Sequence, residues 1–282
     1  MERPIPDTEK RNPKSMHLDR MSTLEIVRLM NEENLASVEA VEAALPQVAL
    51  AADRIAEAIA AGHRLVYIGA GTSGRLGILD AAECPPTFGV SPDVVSGIIA
   101  GGPERLIRAG EDAEDSREAG YRDAAERLDA GDVLVGISAA GGARYVLGAL
   151  DAAKAAGCLT VALTSNPGAP ITQAADISIV CETGPEVLTG STRLKAGNSQ
   201  KFVLNMLSTA AMVRTGKVCE NLMINLRPSN EKLRRRVIRI TAALLDASEE
   251  EAGRILEENG WEIRRAVEAG RASAAGKEPY EA

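Results

Sequence analysis

The 282-residue chain is poor in the side chains that usually recognise bases and metal ions. It contains two Phe, four Tyr and one Trp, and its histidines are His17 and His63. Aromatic rings are the usual platforms for stacked bases, and imidazole is the commonest metal ligand. We therefore expect no nucleic acid partner and no metal site. A small ligand should be bound mainly through hydrogen bonds and charge.

Basic charge and clustered cysteines are also scarce. The chain has 32 Lys and Arg against 40 Asp and Glu, a net charge of −8, which opposes binding to a phosphate backbone. Its four cysteines, Cys84, Cys158, Cys181 and Cys219, are far apart and form no C-x-x-C pair. The spacing therefore favours neither a local zinc cage nor a disulfide framework, and it indicates a reduced, cytoplasmic setting.

Long apolar runs are missing as well. No uninterrupted apolar stretch approaches the roughly 18 to 20 residues that a bilayer span needs, so we expect no membrane partner. The first fourteen residues combine charges with Pro4, Pro6 and Pro13 and lack the apolar segment of a secretory signal. We predict that they form an exposed arm.

The chain does contain five short apolar runs, which alternate with helical segments. Strands that are apolar on both faces and alternate with helices predict an α/β fold with a parallel sheet covered on both sides. Such sheets bind ligands at the carboxyl ends of their strands. The predicted strands are Arg64–Ile68, Val94–Ala100, Val133–Ile137, Leu159–Thr164 and Ile177–Cys181.

Helices are predicted before, between and after these strands. Ser22 and Glu25 form a capping box at the start of a helix over Met21–Leu45, and a second helix follows over Gln47–Ala60. A long helix from about Ser191 to Thr215 closes the α/β domain.

The chain becomes purely helical and highly charged from Asn230 onward. Three short helices are predicted there, with Trp261 starting the third. We therefore expect two domains, residues 1–228 and a small helical bundle over residues 229–282.

A glycine-rich turn, residues 69–74, follows the first strand and fits the dinucleotide pattern G-x-G-x-x-G. A dinucleotide also needs an acidic residue at the end of the second strand, and none occurs there before Glu104. Thr72 and Ser73 instead offer hydroxyls beside the free N–H groups of a helix N-terminus, a suitable cradle for one phosphate. The turn thus favours a phosphate over a dinucleotide, with a simple packing turn as the third possibility.

Two groups of carboxylates are candidates for acid–base chemistry. Glu83 precedes Pro85 and Pro86, which we expect to end the helix, so its side chain either faces the glycine turn or is solvated. Residues 111–115, Glu-Asp-Ala-Glu-Asp, hold four carboxylates whose mutual repulsion can raise a pKa. A solvated face is the alternative, and spacing does not choose among the four.

A third segment combines hydroxyls and cations at the start of the long helix. Hydroxyls and cations at a helix N-terminus form an anion-friendly site, whereas a plain N-cap with solvated charges is the alternative. The side chains concerned are Thr189, Ser191, Thr192, Arg193 and Lys195.

Several of these segments together resemble the N-acetylmuramic acid 6-phosphate etherases over nearly the whole chain. The resemblance implies a sugar isomerase (SIS) type fold, a five-stranded parallel sheet flanked by helices with a small C-terminal three-helix bundle similar to ubiquitin-associated domains. The matching segments are Glu9–Pro13, Leu18–Val27, Tyr67–Leu76, Asp80–Phe88, Gly184–Gly197 and Asn205–Thr209.

The resemblance also implies an activity. Members of this family act as homodimers without a cofactor on a small-molecule phosphosugar during cell-wall recycling. They cleave the D-lactyl ether of N-acetylmuramic acid 6-phosphate, giving N-acetylglucosamine 6-phosphate and D-lactate.

By the same resemblance, Glu83 would protonate the departing lactyl oxygen and Glu114 would take the proton from C2 of the sugar. The residues expected to bind the phosphosugar are Gly71, Thr72, Ser73, Gly74, Arg75, Ser138, Ser191, Thr192 and Lys195.

The turn after the third strand departs from the family pattern. Ala140, Gly142 and Ala143 stand where the family usually has Ser, Arg and Thr, and Arg144 adds a cation two positions later. The lost hydrogen bonds leave two alternatives open, a non-catalytic phosphosugar sensor like the related glucokinase regulatory protein and an etherase with a different phosphosugar.

Overall fold

The computed structural model describes residues 5–108, 110, 112–226, 228 and 230–275. The chain forms two compact units. The first consists of the residues up to 82 and of 92–211, and the second of 83–91 and the chain from 212 onward. The predicted boundary between residues 228 and 229 falls inside the second unit.

A five-stranded parallel sheet forms the centre of the first unit, in the order β2-β1-β3-β4-β5. Gly69 at the end of β1 is paired with Ile137 at the end of β3, so the turns after these two strands lie side by side. This confirms the predicted sheet. The strands are β1 (Leu65–Gly69), β2 (Val95–Ile99), β3 (Val133–Ile137), β4 (Leu159–Thr164) and β5 (Ile177–Val180).

Seven helices occur among the described residues up to 226. The core around β1 and β3 includes Tyr67 and Tyr145, which are fully buried. The helices are α1 (Thr23–Glu33), α2 (Leu35–Ala60), α3 (Gly71–Phe88), α4 (Arg117–Ala125), α5 (Arg144–Ala155), α6 (Pro170–Ala174) and α7 (Lys195–Arg214).

The first two helices divide at Asn34, and not near Leu45 as predicted. Ser22 and Glu25 form the expected capping box of α1, whereas α2 runs through Pro46 without a break. An interior proline costs about 3 kcal/mol. The buried stripe of α2, which includes Val41, Val48 and Ile55, outweighs that cost because each such side chain stabilises by about 1.5 to 3 kcal/mol.

The same region is more apolar than the search for uninterrupted apolar runs indicated. The helical segment Thr23–Ala60 contains an 18-residue window with a mean hydropathy of 1.3. By length and composition alone, this segment is long and apolar enough to cross a membrane. Helix α2 lies against β1 and β5, and nine of its 26 residues are buried. Its apolar composition is therefore that of a helix packed on a sheet.

Helix α3 likewise continues through the proline pair that was predicted to end it. Pro85 and Pro86 lie inside the helix, and the Gly89 N–H donates to the Pro85 carbonyl at 2.9 Å. Cys84 and Phe88 are buried on either side of the pair. Burial of these side chains keeps the last turn helical.

Two of the described residues of the N-terminal arm are buried, whereas the sequence predicted an exposed segment. Thr8 is fully buried, and its hydroxyl accepts a hydrogen bond from Asn166 Nδ2 at 3.1 Å. Asn12 is also buried and donates to the Glu33 carboxylate at 2.7 Å. These polar contacts between distant residues could not be recognised from local sequence pattern.

The described part of the second unit contains the end of α3, a short antiparallel pair, β6 (Val218–Cys219) and β7 (Leu222–Met223), and three further helices. Helices α8 (Glu231–Leu245), α9 (Glu249–Glu258) and α10 (Ile263–Ala275) enclose a core that includes Val237, Leu256 and Ile263, which confirms the predicted bundle. Trp261 does not start the third helix. Its φ of 61° is left-handed, and its ring contacts the Arg234 guanidinium at 3.9 Å.

Candidate active site

A polar cleft of about 620 Å³ opens in the first unit where β1 and β3 end. Its walls come from five segments that are remote in sequence: Glu9 of the N-terminal arm, the turns after the two strands, residues 110, 114 and 115, and residues 190–193 ahead of α7. The lining side chains include three carboxylates, Glu9, Glu114 and Asp115, and two guanidinium groups, Arg75 and Arg193. The cleft can therefore hold a ligand that carries both an anionic group and hydroxyls.

The turn after β1 supplies Gly71, Thr72, Ser73 and Arg75 to this cleft. Gly71 starts α3 with a φ of +53°, a left-handed conformation that favours glycine. The first N–H groups of a helix have no partner inside it and carry a partial positive charge. The turn thus places the start of a helix and the side chains of Thr72 and Ser73 at the cleft.

Gly74 serves this turn without lining the cleft. It is buried, and a Cβ atom at this position would lie 2.5 Å from the Gly69 carbonyl oxygen. A larger residue would push α3 away from the end of β1. Its contribution is the close approach of helix and strand.

Arg75 holds a neighbouring segment. Its Nη2 donates to the Arg105 carbonyl at 2.7 Å, and its Nε donates to the Leu106 carbonyl at 3.1 Å. Arg75 thereby ties the start of α3 to the chain that follows β2. This chain leads to the short 3-10 helix Asp112–Asp115, which carries Glu114.

The turn after β3 contributes Ser138, Ala140, Gly142 and Ala143 to the cleft. The Ser138 hydroxyl oxygen accepts a hydrogen bond from the Gly141 N–H at 3.1 Å, which closes the turn and leaves the hydroxyl hydrogen for another acceptor. Ala143 caps α5 without a side-chain hydrogen bond. This side of the cleft is therefore less polar than the side formed by the β1 turn.

The segment ahead of α7 is divided between the cleft and the interior. Thr192 and Arg193 line the cleft. Ser191 is half-buried and lies outside its lining, and Lys195 is 3% exposed. The structure thus brings Thr192, but neither Ser191 nor Lys195, to the other predicted phosphosugar ligands.

Lys195 belongs to a buried ion-pair network. Its ammonium is 2.7 Å from a Glu33 carboxylate oxygen, and Lys14 is 2.8 Å from the other oxygen. Burial disfavours the charged form of Glu33, but the hydrogen bonds from Lys14, Lys195 and Asn12 outweigh burial and lower its pKa to about 2. Local spacing suggested a ligand-binding lysine because its actual partner, Glu33, is distant in sequence.

The N-terminus of α7 is occupied by an internal carboxylate. Glu186 is fully buried, and its two oxygens accept hydrogen bonds from the N–H groups of Lys195 and Ala196, both at 3.0 Å. Burial raises its pKa, and the two N–H groups act in the opposite direction. The predicted anion-friendly N-terminus exists, but its anion is the Glu186 side chain.

The two candidate catalytic glutamates have different surroundings. Glu114 is exposed and lines the cleft beside Asp115. Glu83 is exposed on α3 in the second unit, and it does not line the cleft. Of the other acidic residues in the 111–115 cluster, Glu111 lies outside the described residues, and Asp112 belongs to the 3-10 helix.

Sequence reasoning missed two residues at this site. Glu9 lines the cleft next to Gly190, and Gln200 accepts a hydrogen bond from Ser73 at 3.0 Å. Glu9 appeared only within a family motif, and Gln200 lies inside a long helix. No local pattern signals either contact, because each joins segments more than a hundred residues apart.

Metal ligation is not indicated by the structure. Among the residues that it describes, no group of three or more His, Cys, Asp or Glu side chains could hold a metal ion.

Comparison with known proteins identifies the family. Residues 47–154 match the glucokinase regulatory protein N-terminal SIS domain, and residues 113–210 match the SIS domain. An N-acetylmuramic acid 6-phosphate etherase of Symbiobacterium thermophilum is 53% identical over 260 residues, which cover 92% of this chain and 87% of the relative. The chain belongs to the N-acetylmuramic acid 6-phosphate etherase family.

Another relative agrees with this assignment, and solved structures agree with the fold. The N-acetylmuramic acid 6-phosphate etherase of Cronobacter sakazakii is 50% identical over 92% of this chain and 88% of its own length. A phosphoheptose isomerase from Francisella tularensis superposes with a TM-score of 0.50 at 16% identity, covering 68% of this chain and 98% of that one. A phosphosugar isomerase of Bacteroides fragilis, described as involved in capsule formation, gives a TM-score of 0.51 at 20% identity over 70% and 92%. At these identities the structures show the SIS fold alone.

Proposed function

We propose that this protein cleaves the D-lactyl ether of N-acetylmuramic acid 6-phosphate to N-acetylglucosamine 6-phosphate and D-lactate, in the recycling of cell-wall amino sugars. The observation that carries the proposal is the 53% identity to a named etherase over 92% of the chain. The polar cleft at the ends of β1 and β3 supports it, because its volume of about 620 Å³ is within the range of small-molecule sites.

The phosphate is proposed to bind at the start of α3. Thr72 and Ser73 offer hydroxyls there, beside N–H groups at the positive end of the helix. Ser138 and Thr192, which line the same cleft, would complete the set of hydroxyl donors. This arrangement suits an acidic protein, because it binds an anion without a basic patch.

Two carboxylates suffice for the proposed elimination. The sugar ring first opens to an aldehyde, which acidifies the proton at C2. Glu114 takes this proton, a double bond forms between C2 and C3, and the C3–O bond breaks. Glu83 gives a proton to the departing lactyl oxygen. Water then adds across the double bond: its oxygen bonds to C3 while Glu83 takes back a proton from it, and Glu114 returns its proton to C2. No electrons are exchanged with a redox partner, so no cofactor is required.

The assignments of the two glutamates have different support. The place of Glu114 in the cleft wall, beside Asp115, supports a role as base, because a base must lie within reach of the proton that it takes. The assignment of Glu83 depends on the family motif Asp80–Phe88. Arg75, which ties the start of α3 to the chain before Glu114, is proposed to position that segment as well as the phosphosugar.

A homodimer is proposed as the working form. Family resemblance suggests it, and an apolar groove of about 510 Å³ on α7 supports it. Phe202 and Met206 in that groove are 37% and 39% exposed, and apolar patches of this kind mark interaction surfaces. Light scattering coupled to size-exclusion chromatography should give twice the 29.6 kDa chain mass.

The direct test is D-lactate release from N-acetylmuramic acid 6-phosphate by the purified protein. We expect lactate from the wild type and a loss of at least about 100-fold in Glu114→Gln, since general acid–base catalysis contributes about 10² to 10⁴. Glu118→Gln, an exposed residue of α4, is the matched control. Absence of lactate from the wild type, with normal turnover by another etherase, would refute the proposal.

A non-catalytic phosphosugar sensor is the second candidate. The match of residues 47–154 to a domain of the glucokinase regulatory protein and the apolar turn after β3 favour it. A sensor needs no acid and no base. Unchanged biological activity of Glu83→Gln and Glu114→Gln, with phosphosugar still bound, would therefore favour the sensor over the etherase.

A further inference from the structure

Gln200 lies directly behind the Ser73 hydroxyl. It belongs to α7, is 1% exposed, and its Oε1 accepts a hydrogen bond from Ser73 Oγ at 3.0 Å. Ser73 lines the cleft and is 8% exposed. The cleft therefore contacts Ser73, and Ser73 in turn contacts an amide that solvent does not reach.

The other end of this amide is unsatisfied. Gln200 Nε2 is buried and has no hydrogen-bond partner among the described residues. A buried donor without a partner is unfavourable, and native proteins seldom retain one. We therefore expect a second state of the protein, in which Nε2 does have an acceptor.

The hydrogen-bonding capacity of the Ser73 hydroxyl indicates that this second state is the phosphate-bound one. Ser73 carries one O–H donor and can also accept. With its hydrogen directed at Gln200 Oε1, the hydroxyl has nothing to donate to a phosphate oxygen in the cleft. A phosphate group has only acceptor oxygens when it is fully ionised, so Ser73 can bind it only after this hydrogen turns toward the cleft.

An amide can accommodate this reversal without a change in packing, because its oxygen and NH₂ ends have nearly the same shape. We propose that Gln200 is a positioning residue for phosphate, and that its amide turns over when a phosphate group enters the cleft. Nε2 then donates to Ser73 Oγ, and the Ser73 hydroxyl donates to the phosphate. One movement gives the buried donor an acceptor and gives the ligand a donor. The unpaired end of the amide becomes the oxygen, and a buried acceptor without a partner is less unusual than a buried donor.

The inference rests on the proposed function only in taking a phosphosugar as the ligand. Its first test is calorimetric binding of N-acetylglucosamine 6-phosphate and of inorganic phosphate to Gln200→Met, which keeps the shape but removes both hydrogen-bonding groups. We expect both dissociation constants to rise about tenfold, the lower end for a hydrogen bond to a charged group. Gln173→Met, an exposed position on α6, should leave them unchanged.

A double-mutant cycle separates this role from a structural one. If Gln200 acts through Ser73, Gln200→Met should add less than about twofold to the dissociation constant in a Ser73→Ala background. Lactate release should show a higher KM with kcat changed less than about twofold, because the group touches only the phosphate end. Independent, multiplying effects of the two substitutions would overturn the proposal.

A measurement on the wild type avoids any dependence on the folding of the variant. The Nε2 protons of Gln200, assigned in the nitrogen–proton spectrum by selective labelling, should shift downfield as inorganic phosphate is added, because a new hydrogen bond forms. In Ser73→Ala this shift should be absent. An unshifted Gln200 signal at saturating phosphate would overturn the proposal.

Failure of the etherase assignment would be distinguishable from failure of this inference. A wild type that binds the phosphosugar but releases no lactate refutes the etherase, while the binding cycle still tests Gln200. A wild type that releases lactate, with Gln200→Met binding both phosphate compounds as tightly as wild type, refutes only the role of Gln200.

Discussion

Two helices of the first unit begin with the same physical property and use it differently. Helix α3 starts at Gly71, and its first turn, with Thr72 and Ser73, faces the cleft. Helix α7 starts at Lys195, and its first N–H groups are held by the buried carboxylate of Glu186. Both N-termini attract an anion, but only α3 has its first turn at the cleft.

The difference shows what makes a helix N-terminus a ligand site. The partial charge is common to all helices, so residue types at the first turn do not decide the matter. The decisive factor is whether the chain supplies its own carboxylate. Glu186 does so for α7, nine residues earlier in sequence, and Glu33 holds the Lys195 ammonium from the N-terminal part of the chain.

The largest expected effect comes from breaking the ion pair between Lys195 and Glu33 at the N-terminus of α7. Lys195→Met removes one partner of a buried pair and leaves Glu33 with Lys14, which should lower the free energy of unfolding by about 3 kcal/mol. Urea denaturation measures this change. Lys201→Met, at an exposed position of the same helix, should change it by less than about 0.5 kcal/mol.

The same substitution sharpens the comparison between the two helices. The affinity for phosphosugar should be little changed in any Lys195→Met protein that folds, because Lys195 lies outside the cleft lining. A stable Lys195→Met protein with much weaker binding would instead place Lys195 among the ligands, as sequence reasoning first predicted.

The next largest effect is expected from acid, because it protonates Glu33 and so weakens the ion pair with Lys195. The pKa of Glu33 falls from the ordinary 4.5 to about 2 in the folded protein, so its contribution to stability is complete above about pH 4.5. It is lost as the pH falls toward 2, and it amounts to about 3 kcal/mol. The free energy of unfolding, measured by urea denaturation from pH 6 to pH 2, should therefore fall less steeply with pH in Glu33→Gln than in wild type. Parallel curves would contradict this assignment.

At the N-terminus of α3, which faces the cleft, we expect a substitution to change the affinity for the ligand. Ser73→Ala removes a donor to the proposed phosphate, and we expect the dissociation constant of N-acetylglucosamine 6-phosphate to rise about 10- to 100-fold, equivalent to about 1.5 to 3 kcal/mol. Calorimetry measures it. Ser191→Ala, a serine outside the cleft lining, is the control and should bind like wild type. Equal losses in both variants would refute the division between cleft and interior.

The smallest effect is expected from the internal cap. Glu186→Ala leaves the N–H groups of Lys195 and Ala196 without their acceptor, which should cost about 1 to 2 kcal/mol of stability. Glu186→Gln should cost less, because it keeps one acceptor and because burial raises the pKa of the glutamate and so disfavours its charge. Glu182→Ala, exposed nearby, is the control in urea denaturation. A larger loss in Glu186→Gln than in Glu186→Ala would contradict the capping role.

Much of the fold could be predicted from local pattern. Apolar runs identified all five strands of the sheet to within one residue at each end, and the Ser22–Glu25 capping box marked the start of α1. Prolines misled the prediction. Pro46, Pro85 and Pro86 lie inside helices, because burial of the neighbouring apolar side chains outweighs the cost of a proline.

The candidate site was only partly predictable. The strand–glycine–helix order placed Thr72 and Ser73 at the cleft, since parallel strands carry their ligands at their carboxyl ends. Glu9 and Gln200 gave no such signal. Each reaches the site from a segment far away in sequence, so neither a period nor a spacing could reveal the contact.

By itself, then, the sequence determined the strands, most of the helices and the glycine-rich turn at the cleft, because these follow from periodicity and from the conformational freedom of glycine. Only the tertiary structure decided which charged groups face the cleft and which face each other. Lys195 and Glu33 are separated by 162 residues and form an ion pair of 2.7 Å. Charges pair through space and not along the chain, so their partners depend on the packing of the whole domain.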